Sequence, residues 1–358
     1  MKALRILAGP AAMRHVRERG LAPADVGVIP GAAGGPKGLI LGPLDRFLFG
    51  DWLPRSSQAV HLVGASIGAW RLASACLNDP VRALQRLEHD YIHQDYRVPS
   101  GQKRPSAEQV SQEFGRSLSD FYGGQVSHVL MHPRYRLHVL TSRGQHVLAK
   151  EGPWRTPLGY AAAYLINAVH RRYLGLCLHR VVFSSRSQEA LPFACDDFPT
   201  ERVPLTEANF MAAVQASCSI PFVLQAVQDI ALSPPGAHWD GGITDYHLHL
   251  DYRAQPGLVL YPHFQPQVVP GWLDKAWRRR HRATPFLDRM VLLCPSPEWV
   301  AKLPNGKLPD RSDFVNYAHD VPERIRVWSA AAKAAHQLAD EWAQWLQQPD
   351  SSRIEPLP

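Results

Sequence analysis

Cysteine is scarce and scattered in this 358-residue chain. Cys76, Cys177, Cys195, Cys218 and Cys294 form no CxxC pair. Their odd number and wide spacing argue against a disulfide framework or a cysteine zinc site, and for a reducing compartment. Long apolar runs are missing too. No stretch of 18 apolar residues exists, so no transmembrane helix is expected. The nearest approach, LGYAAAYLINAV (Leu158–Val169), reads as a buried core helix. The stretch MKALRILAGPAAMRHVRERG has only a short apolar run, broken by Gly9 and Pro10, and makes a poor secretory signal. These absences lead to an expectation of a cytoplasmic protein. There is no internal repeat and no linker long enough to separate domains. Acidic residues are outnumbered, 32 against 39 Lys and Arg, for a net charge of +7. That balance fits an anionic partner such as a membrane surface or nucleic acid, and says nothing about fold.

Proline, by contrast, is plentiful at 31 residues, and it punctuates a regular alternation. VGVIP (Val26–Pro30) reads as a buried strand, followed by the glycine-rich PGAAGGPKGLILG (Pro30–Gly42). KGLILGPLDRFLF then reads as a helix, with Pro36 suited to its first turn. AVHLVG (Ala59–Gly64) is a second strand and SIGAWRLASACL a second helix. This order predicts an α/β fold with a central, mostly parallel sheet flanked by helices. Helices are expected near Pro80–Gln94, Ser106–Tyr122 and Leu205–Cys218, and a long amphipathic one over about Pro322–Gln347. Further strands are expected at Arg134–Ser142, His179–Ser185, Val223–Leu232, Gly257–Pro262 and Arg289–Pro295.

A glycine loop opening a helix usually holds an anion on its backbone N–H groups. A phosphate is not the expected one. A Walker loop needs Gly before the Lys and Ser or Thr after it, but Lys37 lies between Pro36 and Gly38. The dinucleotide pattern GxGxxG is absent as well, and no cofactor is expected. The loop makes sense beside a second motif, Gly64-Ala65-Ser66-Ile67-Gly68. This is a G-x-S-x-G between an apolar strand and an apolar helix, the setting of a nucleophile elbow. Gly64 and Gly68 let the chain turn sharply. Ser66 then projects at a helix N-terminus, where negative charge is favoured. In a parallel sheet both turns lie at one edge, so the Gly34 and Gly35 amides become candidate oxyanion donors. The best-marked carboxylate is Asp240, followed by Gly241 and Gly242.

Taken in order, GGPKG, GASIG, QASCSIPFVL (Gln215–Leu224) and DGG resemble the patatin-like phospholipase family. The resemblance covers roughly residues 25–245. It implies a single patatin-like catalytic domain over 1–358, with a motif-bearing core at about 24–262 and a C-terminal strand and helical extension at about 263–347. It implies a three-layer patatin-like α/β fold and a serine acyl-hydrolase cleaving lipid esters through a Ser–Asp dyad. Ser66 is then the nucleophile, Asp240 the general base, and Gly34, Gly35, Lys37 and Gly38 the oxyanion loop. The chain departs from the family pattern at Ala32 and Ala33, where the loop often has an acid and another glycine. It also lacks the asparagine-proline that often follows the aspartate.

Other readings of these residues stay open at this level. His247, His249 and His263 follow Asp240 in the order of a Ser-Asp-His triad. His238, Asp240, Asp245, His247 and His249 offer metal donors, with His247 and His249 on one face if 246–250 is a strand; no flanking motif fixes a geometry, and no metal is expected. A non-catalytic lipid-binding protein with a degenerate site is a third reading. WLDKAWRRRHR (Trp272–Arg282) joins basic side chains to Trp272 and Trp277, which suits peripheral contact with an anionic membrane. A lipid ester, not a nucleic acid, is the expected partner.

Overall fold

The computed structural model describes residues 2–96 and 105–358. Among these residues one sheet holds eleven strands. They are β1 (Leu4–Ala8), β2 (Val26–Gly31), β3 (Val60–Ala65), β4 (Tyr135–Gly144), β5 (Leu178–Ser184), β6 (Thr200–Pro204), β7 (Val227–Gln228), β8 (Ala237–Asp240), β9 (Leu258–Pro262), β10 (Met290–Pro295) and β11 (Ile354–Pro356). The main path runs β11-β1-β10-β9-β2-β3-β4-β5-β6, while β8 pairs with both β4 and β7. The central run β10-β9-β2-β3-β4 is parallel throughout. Antiparallel pairs join β1 to β10 and β4 to β5 and β8. The fold is therefore α/β with a mostly parallel central sheet flanked by helices. β2, β9 and β10 are buried at every residue, which is why they read as unbroken apolar runs.

β10 lies between β1 and β9, so a strand from late in the chain completes the middle of the sheet. The helix Ile67–Ala75 is buried along its whole length. Its Trp70 packs edge-on against Phe114 and Phe121 of the helix Ala107–Tyr122, at 5.3 and 5.9 Å. Trp328, Trp342 and Trp345 are buried core anchors of the C-terminal region.

Several expectations are corrected. The long C-terminal helix is two, Val321–Ala334 and His336–Gln347, parted at Ala335. The helix after the glycine loop is a 3-10 stretch (Gly35–Leu41), an α-helix (Gly42–Phe47) and a π turn (Leu48–Trp52). The Gly42-Pro43 step interrupts regular α pairing, because proline lacks an N–H. Of the strand expected at Val223–Leu232 only Val227–Gln228 pairs, since Phe222, Asp229 and Leu232 have positive φ. The helix at Leu205–Cys218 spans only Phe210–Ser217, because Asn209 takes the Thr206 N–H into a turn. Trp272–Arg282 forms two short 3-10 turns. β1, β6, β8 and β11 were not foreseen; all are short, and short strands carry too little periodicity to stand out.

The largest correction concerns Leu158–Val169. The helix exists, over Arg155–Val169, but Leu158, Leu165 and Val169 are exposed. Among the described residues no helix is long and apolar enough to cross a membrane.

Candidate active site

Strand β4 brings the two candidate residues, Ser66 and Asp240, together. β3 pairs with its first half and β8 with its second, along the same edge. Ala65 lies opposite Leu140, and Asp240 opposite Thr141, the next residue. β3 and β8 therefore meet carboxyl end to carboxyl end. Ser66, one step past β3, and Asp240, the last residue of β8, face each other across 174 residues of sequence. The Ser66 Oγ donates to Asp240 Oδ2 at 2.7 Å, and both side chains are buried.

Ser66 holds φ 56° and ψ −133°. Such a conformation in a non-glycine residue costs on the order of 1–3 kcal/mol, and the surroundings must enforce it. Here the Ser66 N–H donates to Ser217 Oγ at 2.9 Å, and that hydroxyl donates to Leu140 O at 2.7 Å. Ser217 lies in the quoted QASCSIPFVL segment, but its clamp on the serine backbone was not legible there. The flanking glycines act by close approach. A Cβ at residue 68 would lie 1.9 Å from Gly31 O, and one at residue 64 would lie 2.4 Å from Ala69 Cα. Gly68→Ala is expected to destabilise the protein by about 1–3 kcal/mol, read as a lower denaturant midpoint. A wild-type midpoint would contradict this packing.

Asp240 is held from three sides. Its N–H donates to Ser219 O at 2.9 Å, its carbonyl accepts from Ser142 Oγ at 2.9 Å, and its Oδ1 accepts from the Gly242 N–H at 2.7 Å. Burial raises its pKa above the ordinary carboxylate value. The Arg311 charge, the Ser66 and Gly242 hydrogen bonds and the Lys275 charge all pull against that rise. A carboxylate raised in this way is a stronger base than a solvated one.

The glycine loop stands at the same edge. The Gly34 and Gly35 N–H groups take no partner among the described residues. Gly35 has φ +57°, a left-handed conformation suited to glycine. Ala32 and Ala33 are buried, and the Ala33 N–H donates to Tyr246 O at 2.9 Å, tying the loop to the segment after Asp240. The two alanines thus serve as packing, and Ala33 sits directly against Gly242. Gly38 packs on Ile67, the residue after the serine. The Lys37 ammonium lies over the Phe264 ring, 5.5 Å from its centre.

Two cations from outside the three motifs complete the surroundings, Arg311 and Lys275, the latter from the basic segment Trp272–Arg282. Arg311 Nε is 3.2 Å from the point where a residue-35 Cβ would stand. The Lys275 ammonium lies 4.2 Å from the centre of the Tyr246 ring, which itself packs against Gly242. Desolvation, then Arg311 and Lys37, lower the Lys275 pKa to about 8. Nearby acids are already engaged: Lys307 holds Asp310 and Asp313, while Arg171 and Arg280 hold Asp274. Lys37, Lys275 and Arg311 therefore have no acidic partner within 4 Å among the described residues.

The histidines after Asp240 face elsewhere. His247 Nδ1 contacts Gln267 O (3.1 Å), His263 Nδ1 contacts Gln265 O (2.6 Å), and His249 lies between Val268 O (2.9 Å) and Thr284 Oγ1 (2.8 Å). None bonds Ser66 or Asp240. Residues 246–250 form no strand, and Leu248 has φ 51°, so His247 and His249 do not share a strand face. His238 bonds Thr141 and Ser233. Asp245 instead receives the fully buried Arg180 at 2.7 and 2.8 Å, an ion pair that pins the turn after Asp240. Arg180→Met is expected to cost about 3–5 kcal/mol in urea unfolding, since it removes both charged hydrogen bonds from the buried Asp245 and leaves it only the longer ion pair with Arg171 at 3.6 Å. Among the described residues no three His, Cys, Asp or Glu side chains converge as a metal set would.

Comparison with protein-family models and with curated proteins finds no match to this chain.

Proposed function

We propose that this protein is a serine acyl-hydrolase acting on lipid esters, with a patatin-like three-layer fold. The observation that carries the reading is the 2.7 Å bond from Ser66 Oγ to Asp240 Oδ2, with no histidine bonded to either residue. In the reaction, Ser66 attacks the ester carbonyl as its proton passes to Asp240. The Gly34 and Gly35 N–H groups receive the developing oxyanion; one such donor is typically worth ~2.7–4 kcal/mol of barrier. Asp240 returns the proton to the leaving alcohol, and the acyl group stays on Ser66. Water, deprotonated by Asp240, then releases the fatty acid and restores the serine. Five unpaired thiols fit a reducing compartment such as the cytoplasm.

The unpaired Lys37, Lys275 and Arg311 favour an ester carrying an anionic group, as in a phospholipid or lysophospholipid, over a neutral glyceride. The test is fluorophosphonate labelling followed by fatty-acid release from lysophosphatidylglycerol and from monoacylglycerol. A folded wild-type protein that neither labels nor cleaves either lipid refutes the reading. Arg311→Ala should raise KM for the anionic ester about tenfold, with a smaller effect on the neutral one. It should also move the acid limb of the pH profile upward, because Arg311 holds the Asp240 pKa down. The advantage of the anionic ester should fade as pH rises through about 8, where Lys275 loses its proton.

A further inference from the structure

The helix Arg155–Val169 is apolar around most of its circumference, and a helix of that kind is ordinarily buried. One side obeys: Thr156, Tyr160, Ala163 and Asn167 are buried. The opposite side does not. Leu158, Leu165 and Val169 recur at helical spacing and are 65, 66 and 76% exposed. Trp154, one turn before Leu158, is 79% exposed. Ala161 and Ala162 fill the same face, which carries no charged residue beyond Arg155 in its first turn.

The buried side of the helix adjoins a second exposed apolar pair. Tyr160 meets Phe222 at 6.2 Å between ring centres, and Phe222 and its neighbour Val223 are about half exposed. Phe222 lies three residues after Ser219, whose carbonyl takes the Asp240 N–H. A patch of this extent marks an interaction surface.

Its margin identifies the occupant. Lys150, Arg155 and Arg172 are exposed at the two ends of the helix. Along its flank runs the basic segment: Trp277 stacks on Tyr164 at 6.3 Å, and Arg280 donates to Ala168 O at 3.3 Å. That leaves Arg278, Arg279 and Arg282 exposed beside the apolar stripe. Glu151, an acid on this margin, is engaged by the Ala226 N–H. Trp154, Tyr173 and Trp272 place exposed aromatic rings at the rim, the residues that settle at headgroup depth. A second copy of the chain would bring two such basic margins together, whereas an anionic bilayer neutralises them.

We propose that the apolar face of the helix Arg155–Val169, rimmed by Arg278, Arg279 and Arg282, seats the protein on an anionic lipid bilayer. The helix then lies in the membrane plane, its outer face among the acyl chains and the arginines among the headgroups. The surface stands on its own chemistry; only its service to catalysis rests on the proposed lipid-ester activity. It also moves the contact expected at Trp272–Arg282 onto the neighbouring helix, with the basic segment as its rim.

The test uses full-length Ser66→Ala protein, so that binding is read without turnover, in flotation with phosphatidylcholine vesicles containing or lacking phosphatidylglycerol. The Ser66→Ala protein should float with the anionic vesicles and much less with the neutral ones. Adding Leu158→Glu and Leu165→Glu should weaken partitioning at least ~10-fold. Leu158→Ser with Leu165→Ser serves as a milder pair, and cooperative thermal unfolding establishes that each variant is folded. Arg278→Ala with Arg279→Ala should reduce binding and flatten its dependence on salt. Undiminished flotation of the folded leucine variants overturns the proposal, as does failure of the parent to bind either vesicle. So does a parent dimer that ignores vesicles and becomes monomeric in the leucine variants, which assigns the face to a second copy. Vesicle binding by the Ser66→Ala protein, alongside a folded wild-type protein that hydrolyses no ester, leaves this surface standing and removes the enzymatic reading instead.

Discussion

Ser66→Ala should abolish fluorophosphonate labelling and lower kcat on a lipid ester by at least ~10⁴-fold. The size follows from the proposed role, in which the hydroxyl bonds to the acyl carbon, and no other side chain bonded to Asp240 replaces it. Structure should survive. Alanine keeps the Ser66 N–H that donates to Ser217 Oγ, and it leaves Gly64 and Gly68 in place to accept the tight turn. Cys218 is the nearest competing nucleophile, but burial holds its thiol well above the ordinary cysteine range. It should therefore not take over the labelling. Full-strength labelling of the folded variant would place the nucleophile elsewhere.

Asp240→Asn should be nearly as damaging, with a loss on the order of 10³–10⁴-fold in kcat, because the amide cannot accept the serine proton. Combining it with Ser66→Ala should add almost nothing, since the two residues act as one unit. The wild-type profile carries a second signature. Asp240 must be ionised to act as base, so activity should rise with pH through a pKa displaced above the ordinary carboxylate value. Stability should move the other way. Below the unfolded pKa, near ~3.9, the group is neutral in both states and costs nothing. As pH rises through the folded pKa, the native state must keep a buried charge that the unfolded chain would solvate, and stability falls. Asn at 240 removes that charge while keeping an acceptor for the Gly242 N–H. The inactive variant should accordingly melt a few degrees higher than wild type at neutral pH, roughly 2–4 °C. A lower midpoint would mean that the Ser66 and Gly242 hydrogen bonds outweigh the desolvation cost.

The site was legible wherever function depends on local backbone chemistry. Gly64-Ala65-Ser66-Ile67-Gly68 announces a tight strand-to-helix turn because only small residues permit the approach of Gly68 to Gly31 O. GGPKG and DGG are visible for similar steric reasons. The charges were not legible. Arg311 sits in an undistinguished PDRSDF segment, and nothing near it in sequence links it to Gly35. The histidines misled in the opposite direction: their order suits a triad, but order carries no information on direction, and their rings turn to main-chain carbonyls. The helix Arg155–Val169 misled through composition. An apolar surface in sequence says that a face must be covered, not that this chain supplies the cover.

By itself the sequence determined the alternation of strand, glycine turn and helix, hence an α/β sheet, and its motifs marked Ser66 and Asp240 as the candidate chemical pair. These depend on side-chain size, backbone permissiveness and hydrophobic period, all of which act over a few residues. Only the tertiary structure decided that the pair meets. That depends on β3 and β8 ending against consecutive residues of one strand, Leu140 and Thr141. It also decided which cations stand unpaired beside them and which apolar helix face stays in solvent. Those are outcomes of register and packing between segments far apart in the chain, and no local pattern encodes them.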